Sequence, residues 1–354
     1  MKLEVLGWND SFSKSFEVYG AEGYVPARVA IQHRSHYVLY AEAGELRGEV
    51  SGKWRSQAQG PGDFPAVGDW VVVARQPHAG TTIIHGILPR KSKFSRKAAG
   101  EKSEEQLIAA NIDTVFLVSG LDGDYNLPRI ERYLVVARES GANPVIVLNK
   151  ADLSADLEAR RAEVEAIAVG VPVVVMSAVA QQGVDAVAGF LGAGQTGALL
   201  GSSGVGKSTI INYLLGQDRQ EVRGVRDKDS RGRHTTNRRE LFLLDTGGLL
   251  IDTPGMRELQ IWSGHEGMQE AFDDIEELAQ QCRFRDCRHE AEPECAVQAA
   301  LETGALDPRR FQNYQKLQKE IAYVQRKEDP EAQRREKERW KKLTSAFKRH
   351  YKKK

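Results

Sequence analysis

GSSGVGKST, the stretch from Gly201 to Thr209, has two glycines separated by four residues and followed by lysine and serine. This spacing is typical of a phosphate-binding loop, in which crowded backbone N–H groups surround phosphate oxygens. In such a loop Lys207 reaches the terminal phosphates, and the hydroxyl of Ser208 coordinates Mg²⁺. The apolar GALL before the loop, Gly197–Leu200, predicts a buried strand, and TIINYLLG after it, Thr209–Gly216, predicts a helix. The stretch therefore predicts an α/β nucleotide domain.

The whole loop is predicted to contact phosphate. Its residues are Gly201, Ser202, Ser203, Gly204, Val205, Gly206, Lys207, Ser208 and Thr209. The alternative is a glycine-rich turn that matches the pattern by chance, and the strand and helix on either side disfavour it.

A second motif predicts the base that the nucleotide carries. Two apolar segments, TVFLVS and PVIVLNK, predict strands on either side of a predicted helix around Leu127–Ser140, and this alternation is typical of a doubly wound sheet. NKAD stands where the second of these strands ends. The carboxylate of Asp152 can accept two hydrogen bonds from guanine, which adenine cannot supply. Four residues alone are weak evidence, but the next predicted strand ends in a Ser-Ala pair suited to closing over the base. The predicted base site comprises Asn149, Lys150, Ala151, Asp152, Ser177 and Ala178.

The order of these motifs is unusual, because the base motif precedes the phosphate loop along the chain. DTPG, Asp252–Gly255, follows the apolar GLLI and comes last. Circular permutation explains this order, since it moves the chain ends and preserves the neighbours of each strand. We therefore expect a circularly permuted GTPase sheet.

Between the two phosphate motifs lies RGVRDKDSRGRHTTN, Arg223–Asn237, which is polar and too charged to pack. It predicts a mobile switch loop, with an ordinary solvated loop as the alternative. Gly255 is expected to sense the γ-phosphate. The predicted magnesium site, in which Asp252 acts through water, comprises Ser208, Thr235, Thr236 and Asp252.

The catalytic group departs from the common GTPase pattern. Met256 stands after the DTPG glycine, where many GTPases have the glutamine that orients the attacking water. A thioether positions water poorly, so another group must act. His234 in the switch loop is the candidate, and an ordinary exposed histidine is the alternative. The predicted catalytic residues are His234, Lys207, Thr235 and Thr236.

The N-terminal third predicts a five-stranded OB-type barrel, because short β-rich segments alternate with glycine and proline turns. These segments are Pro26–His33, His36–Tyr40, Leu46–Val50, Asp69–Arg75 and Thr81–Leu88. Such barrels bind RNA or serve only for packing. RNA contact is favoured by basic residues near the predicted strand ends and by the basic linker Pro89–Lys102. The basic residues are Arg34, His36, Lys53 and Arg55.

All three cysteines fall within one short window near a histidine. Three thiolates and an imidazole suffice for a closed tetrahedral zinc site, which is structural because no ligand position remains open. Coincidental clustering is the alternative. Arginines between the ligands, at Arg283, Arg285 and Arg288, suit contact with a phosphate backbone. The predicted zinc ligands are Cys282, Cys287, His289 and Cys295.

The charge is distributed unevenly. Glu331–Lys354 carries a net charge of +8, which leaves −7 for the rest of a chain whose total is +1. This basic tail indicates a polyanionic partner or is simply a solvated face. Before it, Phe311, Tyr314, Leu317, Ile321 and Val324 are spaced as one buried helical stripe. No segment has the length of a membrane span and no signal peptide is evident, so we expect a cytoplasmic protein with no membrane partner.

NKAD, SA, GSSGVGKST, RGRHTT, DTPG and CRFRDCRHEAEPEC follow one another in the order found in the ribosome small-subunit-dependent GTPase A family. The chain resembles that family from about Tyr24 to Tyr323. The resemblance implies an N-terminal OB fold, a circularly permuted GTPase domain and a C-terminal zinc domain. It also implies GTP hydrolysis stimulated by the small ribosomal subunit, and it supports the catalytic assignment of His234.

The predicted fold is therefore multidomain: a barrel with its linker at 1–104, a GTPase domain at 105–265, and a small helical zinc domain with the tail at 266–354. The expected cofactors are one structural Zn²⁺ and the Mg²⁺ that accompanies GTP. The expected partners are GTP or GDP and the small ribosomal subunit with its rRNA, bound by a monomer. Two alternatives remain: a guanine-nucleotide-gated RNA-binding module with little turnover, and an enzyme that phosphorylates a small acceptor.

Overall fold

The computed structural model describes residues 1–74, 80–97, 105–216, 239–252, 261 and 265–328. Its contacts divide the chain into two compact units. The first comprises Met1–Ala98 and Glu104–Gln260, and the second comprises Ala99–Ser103 and Ile261–Lys354.

The N-terminal part of the first unit is a closed five-stranded barrel. Its strands are β1 (Tyr24–Gln32), β2 (Tyr37–Ala41), β3 (Gly44–Val50), β4 (Trp70–Ala74) and β5 (Thr81–Ile87), with the short helix α2 (Gly52–Gln57) after β3. They pair in the order β1-β2-β3-β5-β4, and β4 returns to pair with β1. The pairing of β3 with β5 is parallel and the others are antiparallel. This closed arrangement of five strands confirms the predicted OB-type barrel.

The barrel interior follows the two-residue period of its strands. Along β2, Tyr37, Leu39 and Ala41 are buried while the residues between them are partly exposed. These side chains meet Val29 and Ile84 from neighbouring strands in one apolar cluster.

The segment before the barrel, about which the sequence analysis makes no prediction, also forms helical structure. It contains a single 3₁₀ turn at Glu4–Leu6 and the helix α1 (Asp10–Gly20), which begins where the side chain of Asn9 accepts a hydrogen bond from the Phe12 N–H at 3.2 Å. The Trp8 ring packs edge-on against the buried Trp70 of β4, with ring centroids 4.7 Å apart.

The segment Pro89–Lys102, predicted to be a linker, contains a strand. β6 (Lys93–Lys97) pairs antiparallel with β7 (Glu105–Ala110) as a two-stranded sheet. Phe94 and the last four residues of β7 are buried, so the apolar side chains of this pair outweigh the basic character that suggested a solvated linker.

The α/β part of the first unit is a six-stranded sheet with helices between its strands. Its strands are β8 (Thr114–Gly120), β9 (Asn143–Asn149), β10 (Val173–Val175), β11 (Thr196–Gly201), β12 (Glu240–Leu243) and β13 (Leu249–Asp252). Their order is β10-β9-β8-β11-β13-β12, and only the β12–β13 pairing is antiparallel. The helices are α3 (Leu127–Ser140), α4 (Leu157–Ile167), α5 (Val184–Ala188) and α6 (Lys207–Leu215). Every residue of β8 is buried, as expected for a parallel strand covered on both faces.

The barrel and this sheet are joined by backbone pairing and by a buried arginine. Ile31 of β1 pairs with Glu240 of β12, which links all eleven strands into one sheet. The guanidinium of Arg28 is 1% exposed and donates to the carbonyl oxygens of Leu6, Gly68 and Asn111. Burial lowers the pKa of Arg28 to about 10, which still leaves it protonated at neutral pH. One cation thus connects the N-terminal turn, the barrel and the segment that leads into the six-stranded sheet.

The second unit is helical in the residues that the structure describes. Its helices are α7 (His265–Ala271), α8 (Asp273–Gln280), α9 (Ala296–Thr303) and α10 (Pro308–Glu328). The predicted stripe on α10 is confirmed, since Phe311, Tyr314, Leu317, Ile321 and Val324 are all at most 6% exposed. Across the described ranges, no helix combines the length and apolarity that a membrane span requires.

Candidate functional site

The predicted phosphate loop lies between β11 and α6. Gly206 caps α6 at φ 100°, a backbone conformation that glycine adopts without strain. A side chain there would also meet the Asn149 amide nitrogen at 2.2 Å, so this position requires glycine for two reasons. The ammonium of Lys207 donates to the carbonyl oxygens of Gly201 at 2.8 Å and Ser202 at 2.5 Å. The lysine therefore lies within its own loop, beside the backbone that is predicted to surround phosphate.

Asn149 connects the base motif with the phosphate loop. Its side chain is 1% exposed, and its amide nitrogen donates to the Val205 carbonyl oxygen at 2.7 Å. Its amide oxygen accepts from the Ala178 N–H at 2.9 Å. Because an amide nitrogen carries two hydrogens, it can donate to Val205 and to a base edge together. One side chain thus holds three predicted segments of the nucleotide site in register.

Asp152 lies beside Ser177 of the Ser-Ala pair. It occupies a 3₁₀ turn at Ala151–Leu153, and its carboxylate accepts a hydrogen bond from the Ser177 hydroxyl. The Ala151 N–H donates to the Met176 carbonyl oxygen at 3.1 Å, which fixes this turn against the end of β10. The exposed residue Asp152 is therefore held next to the Ser177–Ala178 pair.

Lys150 has a partner that the sequence analysis missed. Its backbone is left-handed at φ 64°, and its ammonium donates to the Asp122 carboxylate at 2.5 Å. Burial acts to raise the pKa of Asp122, but the hydrogen bond from Lys150, the backbone hydrogen bonds and the charge of Lys150 together outweigh it and hold that pKa below its usual value. Asp122 follows β8, so the available signal was an acidic residue at the carboxyl end of a parallel strand. Asp122 fixes the lysine that is predicted to lie along the base.

The predicted magnesium ligands are only partly described. Ser208 is the second residue of α6, and Asp252 ends β13. β13 pairs with β11, the strand that leads into the phosphate loop, so both residues stand at the same edge of the sheet. His234, Thr235, Thr236, Gly255 and Met256 lie outside the described residues.

The predicted metal ligands converge in the second unit. The four ligand atoms of Cys282, Cys287, His289 and Cys295 all lie within 4.8 Å of one another. The Cys282 sulfur is 3.8 Å from the Cys295 sulfur and 3.6 Å from His289 Nδ1, and Cys295 is 3.4 Å from that nitrogen. Tetrahedral zinc with ordinary bond lengths requires separations of about 3.8 Å between sulfurs and about 3.5 Å between sulfur and nitrogen. The donor set and its spacing fit that metal.

A carboxylate fixes the backbone around this cluster. Glu292 accepts hydrogen bonds from the N–H groups of Arg288, Glu290 and Ala291 at 2.9 to 3.1 Å. These hydrogen bonds lower the pKa of Glu292 to about 2, and the one from the Arg288 N–H has the largest effect. They hold the turn that contains His289, whose φ of 59° is left-handed.

The four basic residues predicted to contact RNA lie on two adjacent segments of the barrel. Arg55 of α2 donates to the Ser35 carbonyl oxygen at 3.1 Å, which connects α2 with the β1–β2 turn. In that turn the rings of His33 and His36 stack with centroids 4.3 Å apart. Arg34, Lys53 and Arg55 are exposed and His36 is partly exposed. The barrel therefore presents one basic edge containing two imidazole rings.

Two protein-family models match this chain. The model described as RsgA GTPase matches residues 87–262, and the model described as 50S ribosome-binding GTPase matches residues 196–332. A curated protein of Opitutus terrae named "Small ribosomal subunit biogenesis GTPase RsgA" is 48% identical over 352 residues, which covers 97% of this chain and 96% of that protein.

Two solved structures are also similar. YjeQ from Thermotoga maritima aligns with a TM-score of 0.64 and 28% identity, covering 84% of this chain and 99% of that one. YloQ, titled a circularly permuted GTPase, aligns with a TM-score of 0.59 and 23% identity, covering 84% and 95%. The second likeness concerns the fold alone, and it agrees with the permuted order of motifs predicted from the sequence.

Proposed function

This chain belongs to the RsgA GTPase family, as the resemblance predicted, and we propose that it hydrolyses GTP to control a late step in small ribosomal subunit assembly. The observation that carries the proposal is the Asn149 side chain, which holds the guanine motif, the Ser-Ala pair and the phosphate loop together. A site organised in this way binds the base and the phosphates of one guanine nucleotide.

The residues of this site have different roles in GTP hydrolysis. Lys207 neutralises charge that develops on the phosphates, and Asp152 selects guanine. Ser208, Thr235, Thr236 and Asp252 would hold Mg²⁺, which would supply charge stabilisation of the β- and γ-phosphates. We assign the positioning of the attacking water to His234, because Met256 at the usual glutamine position does not perform this task.

The cysteine–histidine cluster is assigned to one structural zinc ion. Three sulfurs and one nitrogen complete a tetrahedron and leave no position for a substrate, so this metal stabilises the fold of its unit. Removal of zinc by a zinc-selective chelator, with Mg²⁺ kept in excess, is expected to loosen the second unit without any direct effect on GTP chemistry.

The small subunit and its rRNA are the proposed partners. The family model whose description names the 50S subunit covers only residues 196–332, whereas the Opitutus terrae relative aligned over nearly the whole chain carries a small-subunit name. The match over nearly the whole chain includes the barrel and the metal cluster, and it favours the small subunit. A monomer that acts in the cytoplasm, where subunits assemble, fits this role.

A second candidate is an RNA-binding module that senses guanine nucleotide with little turnover. Met256 favours it, because the residue that usually orients water is replaced. Substantial phosphate release in the presence of small subunits excludes this candidate.

Cosedimentation of the full chain with purified small or large subunits tests the proposed function. We expect the GTP state to let the basic edge of the barrel and the arginines of the metal cluster bind rRNA together, and linked surfaces that engage together bind more tightly than either alone. A non-hydrolysable GTP analogue is therefore expected to strengthen small-subunit binding about 10²-fold over GDP. A form that ends at Glu328 is expected to show a weaker dependence on salt, since it lacks the basic tail. Equal binding in all nucleotide states, or preference for the large subunit, contradicts the proposal.

A further inference from the structure

The metal cluster holds a short loop with an exposed aromatic ring. Cys282 and Cys287, two of the assigned ligands, enclose Arg283, Phe284, Arg285 and Asp286, and all four enclosed residues are exposed. The loop closes as a turn in which the Cys287 N–H donates to the Phe284 carbonyl oxygen at 3.3 Å. Phe284 is 41% exposed.

Single exposed apolar residues are common on protein surfaces and usually need no explanation. Phe284 differs in its setting, because metal ligands fix both ends of its loop. A ring held in place loses little conformational freedom when it binds, so its contact contributes more to affinity than that of a mobile side chain.

One arginine lies over this ring, and two more are close to it along the chain. The Arg283 guanidinium lies over the Phe284 ring, with its central carbon 5.5 Å from the ring centroid. Glu294 pairs with Arg283 at 2.6 Å and so orients it, while the carboxylate of Glu292 is directed at backbone N–H groups. Arg285 and Arg288 are exposed on either side of Cys287.

An aromatic ring beside arginines is the arrangement that binds unstacked nucleobases, because the ring stacks on a base and the guanidinium groups meet phosphate. We propose that the Cys282–Cys287 loop is a stacking site for one base of single-stranded RNA, with Phe284 as the platform. Bases within a duplex are already stacked on both faces, so this site discriminates against double-stranded RNA. The inference rests on the proposed function, which supplies rRNA as the partner.

The test uses the full-length zinc-loaded protein, with zinc content measured for every variant. Its probes are a single-stranded oligouridine and a duplex RNA of the same length. Removing one stacking contact weakens nucleic-acid binding by about tenfold to a hundredfold, so Phe284→Ala is expected to lose that much affinity for the single strand and little for the duplex. Phe284→Trp is expected to bind the single strand with the affinity of the wild type. Its added tryptophan is expected to lose fluorescence on binding, after subtraction of the fluorescence change that the wild-type protein shows.

Tyr323→Ala is the matched control, because Tyr323 is an aromatic residue 51% exposed on α10 of the same unit. It is expected to bind both probes as the wild type does. No measurable single-strand binding by the wild type, unchanged binding in Phe284→Ala, or equal loss for both RNA forms overturns the proposal. Loss of subunit binding without loss of oligouridine binding also overturns it, since the ring would then contact a ribosomal protein.

Failure of the proposed function gives a different result. If small subunits do not stimulate phosphate release by the wild type but Phe284 still governs oligouridine binding, the stacking site stands and the assembly role falls. If small subunits stimulate phosphate release but Phe284→Ala binds RNA as the wild type does, the assembly role stands and the stacking site falls.

Discussion

The amide nitrogen of Asn149 donates to the carbonyl oxygen of Val205 across 2.7 Å, although 55 residues separate the two along the chain. This contact brings the end of β9 against the phosphate loop, and the Ala178 N–H bonded to the same side chain adds the segment that follows β10. The guanine and phosphate parts of the site are therefore one hydrogen-bonded structure, despite the permuted order of their motifs.

Asn149→Ala is expected to destabilise the first unit by about 2 to 4 kcal/mol, because it leaves a buried carbonyl and a buried N–H without a partner. GTP affinity is expected to fall at least tenfold, since the loop loses its support. Urea unfolding and nucleotide titration measure the two effects. Asn143→Ala is the control, because Asn143 begins the same strand and is exposed. Equal stability of the two variants would show that the Asn149 contacts are dispensable.

Asp152→Asn is expected to change base preference. A carboxylate accepts both hydrogen bonds from guanine, whereas an amide presents a donor where the exocyclic amine also donates. GTP affinity is expected to fall by about 10²-fold and affinity for xanthosine triphosphate to rise. Competition binding measures both, with Asp156→Asn as a control that makes the same charge change at a nearby exposed aspartate. Binding of ATP as tight as that of GTP by the wild type would refute guanine selection.

Cys287→Ser is expected to remove zinc and loosen the second unit. Three remaining ligands hold the metal far less tightly, and the helices around the cluster lose their link. Nucleotide binding is expected to persist, since the described nucleotide residues belong to the first unit. Elemental analysis and thermal unfolding provide the measurements, and Asp286→Ala, next to the ligand, is expected to retain one zinc. If wild-type protein made in metal-replete, reducing conditions contains no zinc, the assignment of the zinc site is wrong.

His234→Ala is expected to bind GTP normally and to hydrolyse it about 10²-fold more slowly, as loss of a water-positioning group does. Lys207→Ala is the contrasting variant, because it is expected to weaken nucleotide binding itself. Single-turnover hydrolysis and nucleotide titration separate the two. A wild-type rate in His234→Ala, with and without small subunits, would transfer the role to a group on the ribosome.

Local patterns made much of this molecule predictable. The phosphate loop, the NKAD motif and the metal ligands each lie within short stretches whose spacing reflects their chemistry, and the alternation in β2 follows directly from strand geometry. The buried stripe of α10 was predictable for the same reason.

What the sequence did not predict depends on long-range contacts. The burial of Arg28 requires three carbonyl groups that come from Leu6, Gly68 and Asn111, and no local pattern brings these together. The basic composition of Pro89–Lys102 indicated a linker, but pairing with β7 makes part of it a strand. Asp122 acts on Lys150 only because β8 and β9 are neighbours in the sheet.

The decisive experiment for the proposed function measures phosphate release from GTP by the full-length protein, with and without purified small ribosomal subunits. We expect small subunits to accelerate release about 10²-fold or more, as partners that complete a GTPase site do, and large subunits to have little effect. Release that no subunit accelerates, or that both subunits accelerate equally, would contradict it.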